Sequence, residues 1–170
     1  MPDRPPDGAS DRRNVTVDGV RLRFAAAHMA TLGDKLEPLH GHNYAVRARV
    51  DGTLTDDHWV IDFSLLKRYV REACEQLDHR FLLQLRSPHL AITEEDGGWT
   101  LRFGDHRYHF PASDVVPLEI DNTTAELIAE WIAEQVAAAL AGGEHTNITR
   151  LTIDVEEMLG QSGGYARDIS

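Results

Sequence analysis

The sequence predicts an α+β fold: an antiparallel four-stranded sheet with two helices on one face and a β-hairpin inserted between the helices. Three observations carry this reading. Apolar and polar residues alternate over residues 15–28, 40–52 and 148–155, the period of half-buried strands. Two stretches, 63–77 and 125–140, carry apolar residues at helical spacing. The order strand–strand–helix–insertion–helix–strand–strand puts both helices on the same side of one sheet.

Val15, Val17, Val20, Leu22 and Phe24 interleave with polar residues, and Asp18-Gly19 is a turn signal. A strand or short hairpin ending near His28 follows. Residues 31–38, with Gly33, Asp34 and Pro38 and no clear period, read as a loop. In His40–Gly52, Tyr44, Val46, Ala48 and Val50 share a face with His40 and His42. Residues 51–57 form a turn, and Trp59-Val60-Ile61 reads as a short buried run. Asp62 caps a helix whose stripe is Leu65, Leu66, Tyr69, Val70, Ala73, Cys74 and Leu77. Cys74 lies on that stripe and reads as a buried small hydrophobe rather than a nucleophile.

Residues 77–83 end the helix, and residues 86–116 form an insertion. Within it, residues 97–103 and 106–110 flank Gly104-Asp105 as a hairpin. His106 and His109 are read as solvated strand positions. Asn122-Thr123-Thr124-Ala125-Glu126 starts the second helix, which Gly142-Gly143 stops. A strand over 148–155 leads to Glu156-Glu157. Residues 160–164 read as a plain glycine-rich turn, and residues 165–169 as a short last strand.

A chain of 170 residues suits one domain, here 14–170, with the polar residues 1–13 as a disordered tail. No apolar run reaches membrane length, and no hydrophobic signal segment opens the chain, so a cytoplasmic location is the expectation. One cysteine forbids an internal disulfide and a cysteine-based zinc site. A net charge of −11 argues against nucleic acid and anionic membranes, and against a polyanionic substrate unless basic residues gather locally.

The chemistry concentrates at His28 and His40-Gly41-His42. Side-chain alternation points His40 and His42 the same way, and an antiparallel neighbour ending in His28 supplies a third imidazole. Three neutral imidazoles with a fourth position open are the ligand set of a catalytic zinc. A cupin-type site also contains His-x-His, but it expects a glutamate shortly after the pair, and Asn43-Tyr44-Ala45-Val46-Arg47 offers none. Asp78-His79 is a second constellation, since a carboxylate that orients an imidazole suits it for acid–base work. Glu157, at the end of a core strand, suits a ligand with an amidine-like N–C–NH₂ edge.

Phe24-Ala25-Ala26-Ala27-His28, Leu39-His40-Gly41-His42-Asn43-Tyr44, Val60-Ile61-Asp62-Phe63-Ser64-Leu65-Leu66-Lys67, Leu77-Asp78-His79, Thr123-Thr124-Ala125-Glu126 and Glu157 followed by Tyr165 resemble the 6-pyruvoyltetrahydropterin synthase / 6-carboxytetrahydropterin synthase family. The resemblance covers about residues 15–167. It implies a T-fold (tunnelling fold) that assembles as trimers stacked into a hexamer, with active sites between subunits. It implies that His28, His40 and His42 hold zinc, that Glu157 grips a pterin with Thr123 and Thr124 near the same pocket, and that Asp78 and His79 belong to a catalytic triad. The implied substrate is 7,8-dihydroneopterin triphosphate, from which triphosphate is eliminated.

One departure stands out. The family's third triad member is a cysteine ahead of His-Gly-His, where this chain has Leu36. Leu36 transfers no proton, so the usual elimination is expected to be lost or altered. Two alternatives remain: an active zinc-dependent synthase that uses Asp78, His79 and Glu37, and a non-catalytic oligomeric binding or scaffold protein.

Overall fold

A computed structural model describes residues 11–169. Positions 1–10 of the expected tail lie outside the described residues, and Arg13 already belongs to the first strand. The chain runs β1 (Arg13–Val17), β2 (Arg23–His28), β3 (Thr31–Leu32), β4 (Lys35–Leu36), β5 (His40–Gly52), α1 (Phe63–Leu77), β6 (Arg80–Gln84), β7 (Ala91–Glu95), β8 (Gly98–Phe103), β9 (His106–Pro111), β10 (Val115–Leu118), α2 (Ala125–Gly142), β11 (Ile148–Met158) and β12 (Gln161–Asp168).

The main sheet has seven strands in the order β10-β6-β2-β5-β11-β12, with β1 also on β5. The expected antiparallel set is present as β2, β5, β11 and β12. The four-stranded count and the all-antiparallel character need correction, because β6 pairs in parallel with both β2 and β10. Phe81, Leu82, Leu83 and Gln84 are all buried, so β6 has no polar alternation to announce it. The cause is a core on each face: Leu82 joins the cluster under the helices, and Phe81 and Leu83 join a second one.

β1 and β2 do not form a hairpin with each other. Both lie along β5, Val17 opposite Ala48 and Arg23 opposite Ala45, so they follow one another along the same strand, interrupted at residues 18–22. The 31–38 loop contains the small β3–β4 hairpin. The glycines at 160–164 belong largely to β12 rather than to a turn. Within the insertion, β8 pairs with β9 around Gly104-Asp105, and β7 adds a third strand on the other side of β8. In the 59–61 run Val60 and Ile61 are buried, but Trp59 is about half exposed.

Both helices pack on the face of β5 that carries Tyr44, Val46, Ala48 and Val50. Asp62 caps α1, its carboxylate accepting from the Ser64 and Leu65 N–H groups. Leu66, Val70, Ala73, Cys74 and Leu77 are the buried positions of α1. α2 presents Ile128, Ile132, Val136 and Leu140 to the same core. No described helix is long and apolar enough to cross a membrane.

Candidate functional site

The antiparallel register of β2 and β5 sets His28 directly opposite His40, with His42 two residues further along the same face. Gly41 lies between them because nothing larger fits: a Cβ there would stand 2.8 Å from the Ala26 carbonyl oxygen. The three histidines offer ring nitrogens that all lie within 4.8 Å of one another. His28 is buried, and His40 and His42 are half-buried.

Two of the rings are oriented by backbone carbonyls. His28 Nδ1 is 3.0 Å from the Thr123 carbonyl and His40 Nδ1 is 2.7 Å from the Pro38 carbonyl. An Nδ1–H donating to each carbonyl leaves both Nε2 atoms as bare acceptors, and these face each other at 3.2 Å. Two facing lone pairs call for a shared cation. Burial, reinforced by the neighbouring His40 and His42, lowers His28 to about 4, against the opposing Thr123 carbonyl. His28 is therefore neutral at physiological pH, and a metal ion fits this donor set better than a proton. A carbonyl behind a ligating imidazole is also the usual support for a metal-bound histidine. The cluster can hold a metal ion.

A cavity of about 450 Å³ opens beside it. Glu157, Thr123 and Thr124 all line this cavity, so the structure brings them together with His28, His40 and His42. Thr123 is fully buried, and its Oγ1 has no partner among the described residues. Thr124 caps α2 by accepting from the Leu127 N–H. Gly163 lets the start of α2 press onto β12: a Cβ there would lie 2.8 Å from both Ala125 Cβ and the Glu126 nitrogen. Burial raises the Glu157 carboxyl above the usual range, and Glu37 and Glu126 add to this, while His42 and His40 act in the opposite direction.

Leu36 and Glu37 part company here. Leu36 packs against the second hydrophobic cluster, whereas Glu37 lines the cavity with Oε2 4.0 Å from His40 Nε2. Cys74 is buried inside the α1 core and is no substitute for a missing thiol, since burial pushes it up to about 12.

Asp78 and His79 do pair, with His79 Nδ1 2.9 Å from Asp78 Oδ2. The other carboxylate oxygen accepts from the Ala25 N–H at 2.8 Å. His79 is exposed and takes a left-handed backbone with φ of 57°. The structure does not bring this pair to the three-histidine cavity. His79 lines a second cleft with Ala25, Ala27, Gly41 and Asn43, and His42 borders both this cleft and the three-histidine cavity.

Three contributors went unread in the sequence. Glu126 lines the cavity, though its position announced only a helix first turn. Asn122 clamps the β3 backbone to the start of α2, accepting from Thr31 N–H and donating to Thr31 C=O. The Tyr44 phenol lies beside His28 and His42 with its oxygen buried and unpartnered among the described residues. Its place on the apolar face of β5 hid that polar end.

The profile of the family described as 6-pyruvoyl tetrahydropterin synthase matches residues 19–167. A Methanocaldococcus jannaschii protein assigned as a 6-carboxy-5,6,7,8-tetrahydropterin synthase is 31% identical over 147 residues, covering 86% of this chain and 90% of that one. The dihydroneopterin monophosphate aldolase of Pyrococcus furiosus is 28% identical over 122 residues, covering 72% of this chain and 75% of that one. The crystal structure of Plasmodium vivax 6-pyruvoyl tetrahydropterin synthase superposes with a TM-score of 0.88 at 32% identity, covering 94% of this chain and 99% of that one. Two further structures of that enzyme, also at a TM-score of 0.88, carry a catalytic glutamate replaced by alanine or by cysteine. With two helices on a mixed sheet, a three-histidine cluster and a matching profile over nearly its whole length, the chain belongs to the 6-pyruvoyl tetrahydropterin synthase family.

Proposed function

We propose that this chain is a zinc-dependent enzyme that acts on the side chain of a 7,8-dihydropterin, with Glu37 as the acid–base group in place of the family cysteine. The observation that carries the proposal is the opposite facing of two adjacent residues: Glu37 lines the three-histidine cavity while Leu36 packs away from it. The catalytic glutamate named for the Plasmodium vivax enzyme supports the same reading.

In this reading His28, His40 and His42 hold the zinc, which when bound lowers the pKa of a substrate hydroxyl. Glu157 accepts two N–H groups from the amino-pyrimidine edge, a bidentate contact between planar groups. Thr123 and Thr124 border the ring. Glu37 takes the proton from the hydroxyl on the second side-chain carbon. The bond between the first and second carbons breaks, and its electron pair passes into the ring C=N. A proton returned to the first carbon then leaves a 6-hydroxymethyl-dihydropterin, and the second carbon departs as the aldehyde of glycolaldehyde or its phosphate. The aldolase from Pyrococcus furiosus supports cleavage of this kind rather than elimination of triphosphate.

Asp78 and His79 enter from a neighbouring subunit of a homo-oligomer, a hexamer of two trimers. The position of His79 on a second cleft of the protomer favours that arrangement. So does β12, which among the described residues bonds only to β11 and leaves its other edge open.

The test is product analysis. The assembled, zinc-loaded protein is incubated with dihydroneopterin and with its mono- and triphosphates, and products are identified by mass and fluorescence. A 6-hydroxymethyl product is expected. A 6-pyruvoyl product with free triphosphate would favour the synthase reading suggested by relatives such as the Methanocaldococcus jannaschii protein.

A further inference from the structure

Met29 follows His28 and Leu36 precedes Glu37, and both meet the same apolar core. Met29 is a fully buried member of the second hydrophobic cluster, and Leu36 packs against it. The other buried members are Phe81 and Leu83 of β6, Val115 of β10, and Leu90 and Leu101 of the insertion. The three inserted strands contribute one cross-strand row to this core, Ile92 opposite Leu101 and Leu101 opposite Tyr108. Phe110 of β9 stacks on Phe81 with ring centroids 4.3 Å apart. The insertion is therefore packed onto the back of the segment that carries Glu37.

Polar contacts tie down the backbone of the same segment. The buried Gln84 side chain donates to the Met29 carbonyl at 2.7 Å. Asn122 holds both backbone groups of Thr31. β3 and β4 pair Thr31 with Leu36, and the Glu37 N–H donates to the Ala30 carbonyl at 2.9 Å. These bonds fix the path of the chain, and the packing of Leu36 fixes its facing. Neighbouring side chains in extended backbone point opposite ways, so Leu36 held in the apolar core turns Glu37 to the cavity.

We propose that the inserted β7-β8-β9 sheet is a positioning element for Glu37, acting through Leu101 and the core it shares with Leu36. The catalytic part of this inference rests on the reading of Glu37 as the acid–base group. Leu101 is 1% exposed and does not line the three-histidine cavity, so it acts only through the packing it supports.

The experiment uses the assembled full-length protein and reads amide hydrogen exchange beside kcat and the Kd for dihydroneopterin. Leu101→Ala opens the second cluster, and Leu66→Ala makes the same truncation in the first, where Leu66 is fully buried in α1. Leu101→Ala should speed exchange at the Thr31 and Glu37 amides, and Leu66→Ala should not. It should lower kcat about tenfold or more, because a misplacement of about 1 Å can cost 10²-fold, with Kd little changed. The volume-conserving Leu101→Met should retain activity. In a Glu37→Gln background Leu101→Ala should lower kcat no further, as expected of a residue that acts through Glu37. Ile92→Ala, a milder truncation in the same row, is read in the same way if Leu101→Ala does not fold. Unchanged exchange at Thr31 and Glu37, an equal loss of kcat in Leu66→Ala, or additive losses in the double variant would overturn the proposal. Full activity of Glu37→Gln would count against the acid–base role alone, because the exchange at residues 31 and 37 still decides whether the insertion holds the segment.

Discussion

His28 and His40 face each other through Nε2 at 3.2 Å, and each turns its Nδ1 toward a backbone carbonyl. The backbone thus fixes which nitrogen each ring offers, before any ligand arrives.

Metal should stabilise the fold. A site that binds only the native state raises stability by about 2.7 kcal/mol when free metal is a hundred times Kd. Thermal unfolding with added zinc should therefore shift upward, and chelation should reverse the shift. His28→Ala should abolish it. A shift that persists in that variant would place the zinc elsewhere.

Removal of the Glu37 carboxylate should depress turnover far more than binding. Glu37→Gln is expected to lower kcat about 10²–10⁴-fold, the usual range for a lost acid–base group. Pterin affinity should change little. Leu36→Cys should not restore the activity of Glu37→Gln, because position 36 faces the second hydrophobic cluster. Rescue by that thiol would show that position 36 reaches the substrate.

Gly41→Ala tests the close approach of β2 and β5. The new methyl would meet the Ala26 carbonyl oxygen at 2.8 Å. Backbone cannot yield as a flexible side chain does, so a loss of about 1–3 kcal/mol is expected, as for other overpacked sites. Zinc affinity should fall with it. Urea unfolding with and without zinc separates the two effects.

Asp78 gives a pH signature. The Ala25 N–H, and then the His79 ring, hold its carboxyl below the usual value. Its contribution to stability is therefore fully present above the unfolded pKa of about 3.9 and is lost as pH falls through the lower folded value. Asp78→Asn should remove that part of the acid-induced loss, seen as a flatter urea midpoint below about pH 4. The effect is modest, because the side chain is 40% exposed.

The sequence made the three-histidine centre legible because it depends on two local rules, alternation along β5 and antiparallel return from β2. The α1 cap at Asp62 and the helical stripes were legible for the same reason. β6 was not, because burial on both faces erases the polar alternation that marks a strand. The opposite facing of Leu36 and Glu37 was hidden because Leu36 ends a two-residue strand too short to show a period and Glu37 follows it. The placement of Asp78-His79 beside β2 and outside the three-histidine cavity follows from sheet order, which no local spacing encodes.

The three-histidine cluster and the cavity beside it also differ in how far the chain must travel to build them. His28 and His40 are 12 positions apart, whereas His28 and Thr123 are 95 apart. Loop-closure entropy grows by about 0.6 kcal/mol for each doubling of length. One antiparallel strand pair therefore gathers the imidazoles cheaply, while the cavity beside them waits for α2 and β11 to dock. The pairing of β2 with β5 should therefore precede the cavity wall as the chain folds, and the Thr123 carbonyl that orients His28 arrives last.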